Sequence, residues 1–460
     1  MSLTDRSTAM RRKTLALVGL VLVLVFTGIA ILTPPAQGYE ISLYQTYPWY
    51  YWLAVIGAVV IGLGLILEGA FDEAIDDRYW QLGLFLVVLT YGFLLFVPYV
   101  RGYPVYGRGD VLTHVGYVKS IAQTGTLGSV DIYPNIHLFV YTIAVASGVP
   151  VANVINLLSP LITLVSVGAF YLLLTKLFDD RRKVLFGTAF VLLLVGTTAH
   201  MNPSPFAQST LLVPFVLFLY FREQRSNSIA IRAAFVLTIV SMVFYHPLTT
   251  VFLLVVFAIY VVVKRLDPAE RWPANPTAVV SITSAVFVAW YYNFAGIIRR
   301  FESIYEVFVA ESSGSTQLDA YSSTIEQTSP ALVDVVRIAF FRYGISAILL
   351  GLATLYILYA LYLYHRDRLE WNRFTVTVMG SFIAFTATAI AFLVVDFTVT
   401  FGRPLIYARL FGAVLAGLFF YTLWRTLDED RLRRGVRVGL YGTLVVLVVA
   451  STFSLYYSPL

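Results

Sequence analysis

The feature that most constrains this chain is the recurrence, from end to end, of apolar stretches about as long as a bilayer is thick. They lie at 14–33, 49–68, 80–98, 151–175, 184–199, 207–221, 229–245, 247–263, 277–296, 344–363, 374–394, 405–424 and 436–456, about thirteen in all. A soluble core could not absorb that much apolar surface: 59% of residues are hydrophobic and only 13% charged. The expected fold class is therefore all-α, a polytopic integral membrane protein of about thirteen transmembrane helices. The chain ends at Leu460, soon after the last of these intervals, so no soluble domain is expected. With no cysteine there is no disulfide framework, thiol nucleophile or thiolate metal site. The net charge of +6 calls for no nucleic acid, because positive loops orient membrane proteins.

Charge sets the expected orientation. Arg11, Arg12 and Lys13 precede the first interval, which is too long for an ordinary cleaved signal and reads as a retained span. With the N-terminus in the cytoplasm and strict alternation, 23 of the 32 Lys and Arg fall inside and nine outside. The segment 136–147 must then stay on the outer side. At a dozen residues it is short for a span and reads as an interfacial or re-entrant helix.

Two expected outer loops, 99–150 and 297–342, carry most of the polar chemistry. In the first, Asp110 opens a run in which Val111, Val115, Val118 and Ala122 share one stripe, while Asp110, His114 and Tyr117 share another. That spacing predicts a juxtamembrane amphipathic helix closed by Gly125. Asp110 has two readings, an N-cap accepting from the backbone of Leu112 or Thr113 and a carboxylate orienting or deprotonating a hydroxyl. In the second loop, Glu302 and Glu306 suggest a helical start, before a Ser/Thr/Gly-rich, mobile centre.

Arginines at the outer ends of spans also have two readings. Arg299, Arg300, Arg403 and Arg409 either snorkel to headgroups or clamp phosphate oxygens, for which guanidinium is well shaped. Arg409, inside its span, favours a cavity or a partner, because charge within a membrane is costly. Arg108, Tyr407, His137 and His246 complete the candidate substrate contacts. His200 lies in another outer loop. No Walker motif, G-x-S-x-G elbow, dinucleotide fingerprint or H-E-x-x-H is present, which argues against cytosolic ATP hydrolysis, serine hydrolysis and a zincin site.

The order G-D-x-x-x-H, an amphipathic helix ending in T-G, then Y-P-x-x-H before the next helix resembles the C-type (GT-C) membrane glycosyltransferases. It is most similar to the prokaryotic and archaeal set related to protein mannosyltransferases and aminoarabinose transferases. The resemblance covers about 80–425, leaving 1–79 as two added N-terminal helices and 426–460 as a last helix. It implies that Asp110 is the catalytic carboxylate and that the donor is a polyprenyl- or dolichyl-phosphate sugar gripped by the outer arginines. The acceptor would be a lipid-linked glycan, protein or lipid at the outer face of the cell membrane, as in cell-envelope glycosylation. The absence of a W-W-D-Y-G signature favours transfer of a single sugar over en bloc transfer. Asp110 is followed by VLTH rather than forming a D-x-D or D-E pair, so a divalent metal is an option and no other cofactor is implied. The alternatives are a transporter or flippase, and a polymerase or ligase, for lipid-linked saccharides.

Overall fold

The structure, a computed structural model, describes residues 3–456 except 39, 41, 73–76, 104–105, 107–109, 129–130, 198–199, 202, 227, 267–275, 300–301, 303–304, 306–315, 370–371, 396–398 and 428. Among the described residues there are helices and connecting loops and no strand. The order is α1 (Leu3–Leu32), the single turn α2 (Leu43–Thr46), α3 (Trp49–Phe71), α4 (Asp77–Val100), α5 (Asp110–Thr124), α6 (Pro134–Ser147), α7 (Val151–Leu177) and α8 (Arg181–Leu192). Then come α9 (Pro205–Ser226), α10 (Ile229–Tyr245), α11 (Pro247–Leu266), α12 (Pro276–Tyr291) and α13 (Gln317–Thr328). The last four are α14 (Leu332–His365), α15 (Arg373–Val394), α16 (Gly402–Thr426) and α17 (Asp430–Ser454).

Ten of these helices are long and apolar enough to cross a membrane: α1, α3, α4, α7, α9, α11, α14, α15, α16 and α17. The chain is thus a polytopic membrane protein. Of the thirteen expected intervals, α10 and α12 form apolar but shorter helices, and α8 has twelve residues continued by a 3₁₀ turn, Leu193–Gly196. Helix is the form required here, because a backbone in hydrocarbon must satisfy its own hydrogen bonds. From Val184 to Gly196, α8 and its 3₁₀ extension are buried on every side, as an all-round apolar helix should be.

Glycine lets α8 sit that deep. A Cβ on Gly417 of α16 would come within 2.8 Å of Gly187 Cα, so the backbone of α8 leaves no room for a side chain at Gly417. A Cβ on Gly83 of α4 would lie 2.5 Å from the Gly62 carbonyl oxygen of α3. Without a strong hydrophobic drive between helices in lipid, such close packing is a principal source of association.

Side-chain contacts sort the helix ends into two poles. At one, Arg12 pairs with Glu68 at 2.9 Å, Arg437 lies 4.4 Å over Phe71, and Arg182 and Arg433 lie over Trp424 at 5.2 and 5.8 Å. There too Tyr421 donates to Asp180 at 2.5 Å, joining the end of α16 to the start of α8. At the opposite pole, Arg101 is buried against Glu40 and the Pro34 carbonyl, and Tyr103 donates to Glu40 at 2.5 Å. Tyr44, from α2, donates to the Thr452 carbonyl at 3.0 Å, bringing the end of α17 to this same pole.

Segment 136–147 forms the helix α6, shorter than the spans. Asn135, at its start, donates to the Ser241 carbonyl near the end of α10 at 2.7 Å, and Gly148, left-handed at φ 68°, turns the chain into α7. Two expectations need correction. The centre of the second loop is helical from Gln317, because Thr316 and Asp319 form a reciprocal capping box, and Gln317 ties this helix to the Phe392 and Val399 carbonyls and the Phe401 amide. The next helix starts at Leu332 rather than 344, since nothing after Pro330 interrupts it. Glu302 is helical, and Glu306 lies outside the described residues.

Candidate functional site

Amphipathicity builds the site. Val111, Val115, Val118 and Ile121 of α5 are buried, the first three packing with Ile136 and Val140 of α6 and Ile155 and Leu158 of α7. His114 lies in the same seam, so the packing that seats α5 also carries one imidazole inside. Pro134 starts α6, where its missing N–H is no loss, and this sets His137 in the first turn. In the loop before it, Asp131 accepts the Tyr133 amide at 3.1 Å, a local turn that fixes its carboxylate.

These elements form a buried chain of three side chains. Both Asp131 carboxylate oxygens lie 2.8 Å from His137 Nδ1, and His137 Nε2 lies 2.9 Å from His114 Nδ1. Exposures are 4% for Asp131, 0% for His137 and 5% for His114. Burial, reinforced by the His137 imidazole, pushes His114 down to about 4, against the opposing pull of Asp110 and Asp131. The Tyr117 ring is 5.2 Å from His137.

Asp110 is the first residue of α5 and exposed, one turn before His114. Its carboxylate makes no hydrogen bond or ion pair among the described residues, so the cap to Leu112 or Thr113 is not formed. What remains is the favourable placement of a negative charge at a helix N-terminus.

A row of rings runs from this chain towards α16. His114 meets Tyr133 edge-on at 6.2 Å, and Tyr133 stacks on His246 at 5.1 Å and 7°. His246 meets Phe206 at 5.1 Å, and the Arg403 guanidinium lies 5.1 Å over Phe206. Beneath the row a buried polar layer joins α10, α9 and α7: Tyr245 donates to Gln208 at 2.8 Å, and Gln208 to Ser159 at 3.0 Å.

Arg409 stands apart. Seven residues after Gly402, it is about 10 Å along α16. With Ser166, Thr197, His200 and Thr210 it lines an otherwise apolar cavity of about 40 Å³ between α7, α8, α9 and α16. Among the described residues it has no hydrogen-bond or ion-pair partner. A second, apolar cavity of about 40 Å³ shares Phe170 and Leu410 with the first and continues between α7, α9, α11, α15 and α16.

Of the residues singled out from sequence, Asp110, His114, Tyr117, His137, His246 and Arg403 therefore gather at one pole. Arg299 is exposed, two residues after Ile297, which packs, as Ile132 does, against a small cluster of Val243, Phe287 and Tyr291. Tyr407 departs from expectation: it is fully buried, 4.9 Å from both Phe252 and Phe385, in the bundle interior rather than on a surface. Arg108 and Arg300 lie outside the described residues. Asp131 was missed. It sits in a loop, where helical periodicity gives no pairing, and only its place six residues before His137 hints at the contact. No group of three or more His, Asp or Glu suited to holding a metal ion occurs among the described residues.

No protein-family model matches the sequence, and no curated protein matches it.

Proposed function

We propose that this chain is a GT-C-like membrane glycosyltransferase. It takes one sugar from a polyprenyl- or dolichyl-phosphate carrier and passes it to a glycan, protein or lipid acceptor at the outer face of the cell membrane. In this reading the arginine-rich pole is cytoplasmic, in keeping with the bias of basic residues towards that side, and thirteen crossings carry the chain. Residues 1–79 are an addition to a core at 80–425.

The observation that carries the reading is the exposed, unpaired Asp110 one turn from a buried imidazole, at the same pole as Arg403. A sugar phosphate already has a good leaving group, so the protein has mainly to position the reactants and stabilise charge. Arg403, or Arg409 deeper along the same helix, holds the departing phosphate while Asp110 orients the acceptor hydroxyl behind the anomeric carbon. A single displacement of this kind inverts the anomeric configuration.

The unpaired Arg409 inside the bundle also suits a carrier of lipid-linked saccharide, since charges lining an intramembrane cavity are common in transporters. Purified protein in vesicles with a polyprenyl-phosphate sugar separates the two. The enzyme releases lipid phosphate and labels an acceptor; movement of intact donor between leaflets, without transfer to any acceptor tried, makes it a carrier.

A further inference from the structure

We infer that Asp131, His137 and His114 form a proton relay in which His114 Nε2 is the proton acceptor of the site and Asp131 and His137 are its positioning residues. This rests on the group-transfer reading above for its substrate, an acceptor hydroxyl, but the relay itself follows from hydrogen-bond directions.

A carboxylate can only accept, so the His137 nitrogen 2.8 Å from Asp131 carries a proton on Nδ1. In a neutral ring that leaves a lone pair on Nε2, which must accept from His114 Nδ1 at 2.9 Å. The proton of neutral His114 is then on Nδ1, and Nε2 keeps its lone pair. That atom makes no hydrogen bond among the described residues. The titratable groups around it are Asp110 and Tyr117 on α5, His137 on α6, and Asp131 and Tyr133 in the connecting loop, with His246 behind Tyr133. The stretch of α7 against α5 carries no charged side chain before Lys176.

The relay answers a difficulty with His114 as a lone base. Buried beside another imidazole, it holds a positive charge poorly. When Nε2 takes a proton, the Nδ1 proton can pass to His137 Nε2, and the cation then rests against the Asp131 carboxylate. The reaction balances: the acceptor O–H bond breaks and its oxygen bonds to the anomeric carbon. The bond from that carbon to the phosphate oxygen breaks, and lipid phosphate leaves with the electron pair. The acceptor proton ends on the His114–His137 pair. Asp110 faces the same hydroxyl and needs only to orient it.

The test reads protons rather than sugar transfer, so its failure is distinct from failure of the glycosyltransferase reading. The full chain is labelled with ¹⁵N-histidine and placed in lipid nanodiscs, and its five histidines are assigned by single substitutions. At pH 7 the relay requires both His114 and His137 to be neutral and protonated on Nδ1. Asp131→Asn, whose amide can accept or donate, should leave His137 and hence His114 in mixed tautomers. It should also lower kcat for transfer from a polyprenyl-phosphate sugar about 100-fold with KM little changed. A proton on His114 Nε2 in the unsubstituted protein would overturn the relay, and needs no variant to fold. Unchanged tautomers in Asp131→Asn would overturn the positioning role of Asp131.

Discussion

Replacing Arg409 by Met should make this protein more stable and less active. The guanidinium sits about 10 Å along α16 and has no hydrogen-bond or ion-pair partner among the described residues. An arginine at the centre of a membrane helix costs about 2.5–3.5 kcal/mol. Arg409 is short of the centre and partly exposed into a cavity with Thr197, Thr210 and His200, so about 2 kcal/mol is a fair figure. Met keeps most of the volume and removes the charge, and the gain should raise the melting temperature by a few degrees. If the charge is retained to hold a phosphate, the same change should cut transfer from the lipid-phosphate donor. Arg409→Lys should fall between, keeping the charge but losing the two-pronged contact. The assay is thermal unfolding in nanodiscs beside the transfer rate. A variant that melts lower than the unsubstituted protein yet transfers normally would refute the reasoning, making Arg409 a structural residue.

Three further outcomes follow from the packing. His114 is held at about 4 in the fold against an ordinary value near 6.5, so between those values the unfolded chain binds a proton that the native state refuses. Stability should fall by up to about 3 kcal/mol as pH drops through that window, and melting curves of His114→Gln should be flatter there. Glu40→Gln leaves the buried Arg101 without its carboxylate, a loss of about 3 kcal/mol; amide exchange at Arg101–Tyr103 should quicken about 100-fold, and unchanged protection would show that the pair does not hold this loop. Gly417→Leu forces a side chain against Gly187 Cα, 2.8 Å from where its Cβ must lie, and should sharply reduce the yield of folded protein. Gly439→Leu on α17, with open space around it, should be tolerated.

Much of the scaffold was legible because a bilayer imposes one length and one secondary structure on whatever crosses it. The apolar face of α5 was equally plain, since Val111, Val115 and Val118 mark it at helical spacing. But His114, expected on a separate stripe with Asp110 and Tyr117, is buried beside them, and Ile121 rather than the exposed Ala122 completes the buried face. Periodicity failed where contacts depend on a loop or on which side of a helix meets a neighbour. Asp131 reaches His137 through a turn that no spacing rule encodes. Tyr407 was a candidate substrate contact, but it faces Phe252 and Phe385 inside the bundle, because an apolar helix gives no polar stripe from which to tell inside from outside. The helix after Thr316 was hidden by its Ser/Thr-rich composition, although the Thr-x-x-Asp capping pattern was there to be read.

The central claim is that Asp110 serves a transfer reaction, and Asp110→Asn tests it most directly. Asn suits the start of a helix about as well as Asp and removes only the charge, and no contact among the described residues is lost. The measurement is the rate of sugar transfer from a polyprenyl-phosphate donor by purified protein in lipid, beside its melting temperature. The account predicts an unchanged fold, with melting shifted by no more than the loss of about 0.5 kcal/mol of helix-end charge stabilisation, and transfer slowed about 100-fold or more. Transfer at the unsubstituted rate by a folded Asp110→Asn protein would contradict it.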